Sequence, residues 1–205
     1  MEISATGGWP KNHRKKLLSN YPVEFQEAIN KAGTEEQAGK VIKDYLGSKS
    51  KWFNNNTELI VKGIEYVLNQ NAEEIIKLLE EVFAKKFPFD HITVYVTTVG
   101  ICPYNEKEKW FMINRNSSID NCPRTTKHEL NHFMFHYYFG ELETKIGEDK
   151  FYLLKEALVY LTGSKDSYRP AIKPIGEYIK TVSDKSIEEI IELSLKFLGE
   201  EKDVG

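Results

Sequence analysis

The chain reads as an α+β protein, mainly helical with a small β-sheet, and three observations predict this. Apolar residues recur at helical spacing through much of residues 34–87 and again from residue 125 onward. Between those stretches "HITVYVTTV" (91–99) is dense in β-branched residues, and "KWFMINRN" (109–116) is a second strand candidate. Capping and breaking residues divide the helical parts into ordinary lengths. Two strands alone are marginal, so these must pack on helices or pair with further strands.

Taken in order, "TEEQAGKVIKDYLG" begins at Thr34, has Gln37 at capping-box spacing and stops at Gly47. "TELIVKGIEYVLNQ" begins a second helix at Thr57. A third, "NAEEIIKLLEEVFAKKF", starts at Asn71 with Glu74 three residues on. It carries apolar side chains at 75, 76, 78, 79, 82 and 83 and ends before Pro88. The lysine-rich "GSKSKWFNNN" reads as a flexible connection. After the first strand, "GICPYNEKE" is a polar, turn-rich loop. Helices return at 126–139, about 149–162, about 171–181, and from Ser186, where Glu189 completes another capping box. The division expected is a helical N-terminal subdomain, 1–90, and a core with C-terminal helices, 91–205, forming one compact unit.

A chain of 205 residues can bury a real core, and 40% hydrophobic with 29% charged residues excludes wholesale disorder. The net charge of −3 leaves no basic footprint, so nucleic acid is not an expected partner. No stretch approaches the roughly 20 apolar residues of a membrane span, and "MEISATGGWPKNHRKKLL" has no apolar signal core. A cytoplasmic protein without membrane association is the expectation. Two cysteines, Cys102 and Cys122, are too few for a disulfide scaffold. Each precedes a proline, which suggests reduced structural thiols at turns.

The chemistry concentrates in "TTKHELNHFMFHYYFG" (125–140), where Thr126 can cap a helix and Gly140 can end it. His128, Glu129 and His132 form H-E-x-x-H, a pattern that shuffling would produce in about one chain per hundred of this composition. On a helix, residues four apart differ by about 40° in direction and 6 Å in height. Two imidazoles so placed can close on one zinc ion from the same face. Glu129 points about 100° away, so it is not expected as a ligand and can act as a base toward water at the ion. The bland alternative is that Glu129 bonds back to a helix start at Thr126 while the histidines are merely buried.

A zinc ion so held needs a third protein ligand. His136, Glu141, Glu143, Glu148, Glu156 and the two cysteines are candidates. His136 lies another 6 Å or so along the axis, a turn too far. Glu156 is better placed: the motif helix descends about 12 Å from His132 to Gly140, and a second helix starting near Asp149 climbs about 10.5 Å back. If the two are antiparallel neighbours, Glu156 returns to the level of His132. Ala157 beside it allows close approach.

His128-Glu129-Leu-Asn-His132, followed 24 residues later by Glu156 on another helix, resembles the gluzincin metallopeptidases. The likeness covers roughly residues 91–162. It implies a zincin-like metallopeptidase core with a small β-sheet packed on the active-site helix. The implied metal ligands are His128, His132 and Glu156, with Zn²⁺ as cofactor, Glu129 as catalytic base, and a peptide or protein substrate. "KWFMINRN" would be the rim strand that pairs with an extended substrate. Family members also use a downstream histidine or tyrosine to stabilise the oxyanion; Tyr160, Tyr168 and Tyr178 are available here. This chain departs from the pattern by carrying Lys155 before Glu156, where many gluzincins have asparagine. The alternative reading is a zincin-like module that has lost catalysis and serves in binding or regulation.

Overall fold

The computed structural model describes residues 22–48, 50–97, 103–115, 117–163 and 170–200. Helix α1 (Val23–Lys31) leads to α2 (Glu35–Ser48) through the expected cap. Gln37 N–H donates to Thr34 Oγ1 at 3.2 Å, and Gly33 N–H donates to Gln37 Oε1 at 2.8 Å. Helix α3 begins at Ser50 and runs unbroken to Phe83. The connection expected at 47–56 is therefore helical from Ser50, and neither Thr57 nor Asn71 starts a helix. Asn71 instead bonds back within the helix, its Nδ2 donating to the Val67 carbonyl at 2.7 Å. The physical reason is burial. Ile64, Ile75, Leu79 and Phe83 fall on one stripe and all enter the core, which outweighs the weak helix propensity of threonine and asparagine.

Three strands follow: β1 (Thr93–Thr97), β2 (Tyr104–Asn105) and β3 (Trp110–Asn114), in the order β1-β3-β2. β3 runs parallel to β1, with Thr93 opposite Trp110, and antiparallel to β2, with Tyr104 opposite Phe111. This corrects the expectation that "KWFMINRN" is an edge awaiting substrate. It is the central strand, paired on both sides at Trp110 and Phe111. The polar loop itself supplies the extra strand, because Asn105 Oδ1 accepts the N–H groups of Lys107 and Glu108 at 3.0 and 2.9 Å and folds the hairpin. Phe111 and Ile113 alternate inward from β3 to meet the helices.

The motif helix, α4, spans Cys122–Phe139, starting four residues before the expected Thr126. Pro123 sits in its first turn, where a missing N–H costs nothing. Thr126 is therefore inside the helix and buried. Cys122 is a buried free thiol at the helix start, its pKa pushed up by burial and then by Asp120. Cys102 lies outside the described residues.

The return from α4 holds a short helix, α5 (Leu142–Ile146), and then Gly147, whose φ of +82° reverses the chain without strain into α6 (Glu148–Leu158). A 3-10 turn, Val159–Thr162, closes α6. Helices α7 (Lys173–Thr181) and α8 (Ile187–Glu200) complete the described chain. The Ser186–Glu189 box forms as expected, with Glu189 N–H donating to Ser186 Oγ at 3.3 Å and Ser186 N–H to Glu189 Oε2 at 3.1 Å. One hydrophobic cluster joins α3, β3, α4, α6, α7 and α8. Among the described residues no helix is long and apolar enough to cross a membrane.

Candidate metal centre

Helices α4 and α6 are antiparallel neighbours, and their aromatic contacts set the register. Phe151, early on α6, meets Phe135 and His136, with ring centroids 4.9 and 5.2 Å apart. Five residues later on α6, Glu156 faces His132 and His128. Partner numbers fall on α4 as they rise on α6.

Among the described residues, His128, His132 and Glu156 form a group whose ligand atoms all lie within 4.8 Å of one another. The two Nε2 atoms are 3.0 Å apart; His132 Nε2 is 3.6 Å from Glu156 Oε1, and His128 Nε2 is 3.8 Å from Oε2. Donors around one tetrahedral ion at bonds of about 2.0–2.2 Å stand about 3.3–3.6 Å apart, a spacing these distances bracket. Two imidazole nitrogens facing each other so closely must share either a proton or a cation. Side-chain exposure is 2% for His132, 6% for Glu156 and 25% for His128, so the group is buried and opens to solvent at His128. Two nitrogens and one carboxylate fit a metal ion, and three protein donors leave a coordination position over.

Glu129 is buried and stands outside this donor group. The bland reading, a cap between Glu129 and Thr126, loses its helix start because α4 begins at Cys122. Of the other candidate ligands, Glu141, Glu143 and Glu148 are exposed and Cys122 is sequestered at the start of α4. None of them belongs to the group. His136 points to Tyr104, with Nε2 3.2 Å from the hydroxyl. Burial pushes the His136 imidazole below its ordinary 6.5; Glu106 and Glu143 oppose that and Lys155 reinforces it.

Tyr104 and Lys155 flank the donors. The Tyr104 ring lies 5.4 Å from that of His132, centroid to centroid, and its hydroxyl accepts from Lys155 Nζ at 2.5 Å. Lys155 Nζ also lies 3.2 Å from Glu156 Oε1. The tyrosines left open by the sequence do not belong to the donor group where they are described. Tyr160 packs against Gly176 on α7 and under Lys180, Tyr178 stacks on Phe197 at 4.6 Å, and Tyr168 lies outside the described residues. Tyr104 went unseen because a two-residue strand has no periodicity. Its one signal was Asn105, a turn former at the mouth of a hairpin.

One cavity, of about 500 Å³, is not at this centre. It lies between α3 and the sheet, lined by Ile64, Leu68, Val94 and Val96, with Thr126 and Leu130 of α4. Those two residues each sit two positions before a donor histidine, about 200° around the helix. The same lining includes Glu65, Asn69, Asp90 and His91, none of which belongs to the donor group. Comparison of the chain with known protein families, with curated proteins and with solved structures finds no match in any of the three.

Proposed function

We propose that the chain is a zinc-dependent hydrolase, a small metallopeptidase of the gluzincin kind, acting on a peptide or protein substrate in the cytoplasm. The observation that supports this reading is the convergence of His128, His132 and Glu156 from two antiparallel helices, with Glu129 retained between the histidines. Zinc, once held there, would polarise a peptide carbonyl and make water a usable nucleophile near neutral pH.

The chain's own residues supply the rest. His128 and His132 offer nitrogen lone pairs from one face of α4, and Glu156 adds a single negative charge, which leaves the centre a strong Lewis acid. Glu129 takes the proton from attacking water and delivers it to the departing amine. The Tyr104 hydroxyl, polarised by the Lys155 ammonium, donates toward the oxygen that becomes negative. Carboxylate catalysis explains Glu129 in this reading; a purely structural zinc would call for a fourth protein ligand instead.

Metal content after purification without added metal, measured beside peptide cleavage, tests the proposal. One zinc per chain in wild type, lost in Glu156→Ala, with cleavage lost but zinc kept in Glu129→Gln, is the expected outcome. Zinc bound without cleavage across a peptide library points to a non-catalytic binding module. Iron in place of zinc points to oxygen chemistry, which two histidines and one carboxylate also serve.

A further inference from the structure

Lys155 and Glu156 are consecutive on α6, yet their side chains fold onto each other, Nζ lying 3.2 Å from Oε1. The lysine side chain is only 8% exposed, a rare position for an ammonium group. It donates to Tyr104 Oη at 2.5 Å and lies 4.9 Å and 5.1 Å from the ring centroids of Tyr104 and Tyr152. Oε1 is also the oxygen that faces His132 Nε2 at 3.6 Å. The ammonium and an ion held by the donor group therefore compete for one carboxylate.

We propose that Lys155 is a positioning residue that serves as the carboxylate's cation in the metal-free protein and, by its charge, sets how tightly the centre holds an ion. The inference rests on the metal-binding reading of the donor group and is independent of hydrolysis. With Lys155 charged, the two imidazoles, Glu156 and the ammonium sum to zero before a divalent ion binds. The same set would be negative without the ammonium. The ammonium thus helps Glu156 stay buried and aimed at the histidines while no metal is present, since a buried carboxylate needs partners. The ion that replaces that partnership must then bind beside a like charge. Support for the metal-free site and weaker metal binding come from the same side chain.

A merely structural lysine predicts the opposite sign. If Lys155 only propped Glu156 and Tyr104, its loss would loosen the ligand and weaken metal binding. Zinc affinity of the full chain, measured by competition with a chromogenic chelator, separates the two. Lys155→Met, which keeps the stem and removes the charge, is expected to bind zinc at least about tenfold tighter, given like charges a few ångströms apart at an effective dielectric of about 20. Lys155→Arg keeps the charge and should stay near wild type. An affinity in Lys155→Met equal to or weaker than wild type overturns the inference while leaving the metal centre standing. Wild type that takes up no zinc removes the metal reading and this inference together. Should Lys155→Met be recovered unfolded, refolding with zinc decides. Recovery of the fold with zinc, and not without it, supports the exchange of cations; no recovery under conditions where wild type refolds overturns it.

Discussion

Burying a carboxylate is costly unless it is paired, and Glu156 meets two imidazoles and an ammonium at distances between 3.2 and 3.8 Å. Each of these three partners has a second contact, and around them the contacts branch further. Tyr104 is the clearest case: its ring lies against His132 and its hydroxyl joins Lys155 to His136. The ring and the hydroxyl can be separated experimentally. Tyr104→Phe keeps the ring against the histidine and deletes only the donor. On the proposed reading, kcat for peptide cleavage falls by about 10²–10³-fold, the loss typical of removing one oxyanion donor. KM and zinc per chain should stay unchanged, because neither substrate binding nor the ligands involve the hydroxyl. Undiminished kcat would leave Tyr104 as a packing residue.

At the scale of elements, the centre depends on how α4 and α6 are held, and α7 helps hold α6 and the turn after it. Gly176 of α7 lies against Tyr160, so close that an added Cβ would stand 2.6 Å from the ring atoms. Tyr160 is 5% exposed, so its ring is held within the core. Gly176→Ala should therefore destabilise the protein by about 1–3 kcal/mol, as overpacking does, despite the higher helix propensity of alanine. Denaturant melts check this; a stabilised variant would show that the contact relaxes. The same elements show what the sequence can reveal. Glu156 was legible because a short return between two helices makes them antiparallel, and the rise per residue then fixes the level at which its backbone returns. The unbroken α3 was not, because Thr57 and Asn71 carry side chains that suit caps, and only tertiary burial of the stripe from Ile64 to Phe83 decides against them. The central position of β3 was hidden for another reason. Its pairing depends on β2, two residues inside what reads as a loop.

For the described residues as a whole, α4 and α6 both belong to the core cluster that also takes in α3, β3, α7 and α8. An ion that bridges α4 to α6 therefore links two members of one cooperative core rather than two peripheral segments. Binding to the folded state alone stabilises it by mass action, about 2.7 kcal/mol at a free concentration of 100 times Kd. For a chain of this size each kcal/mol raises Tm by about 2–4 °C, so zinc should lift the melting temperature by about 5–10 °C. Magnesium, which favours oxygen ligands and keeps its waters, should give no comparable rise at a centre with two nitrogen donors. Glu156→Ala removes the tie from α6 and should abolish most of the zinc shift, whatever it does to the melting point of the metal-free protein. Zinc raising wild type and Glu156→Ala equally would mean that the ion binds somewhere other than between these helices. The link between the two-helix register and the metal would then be lost.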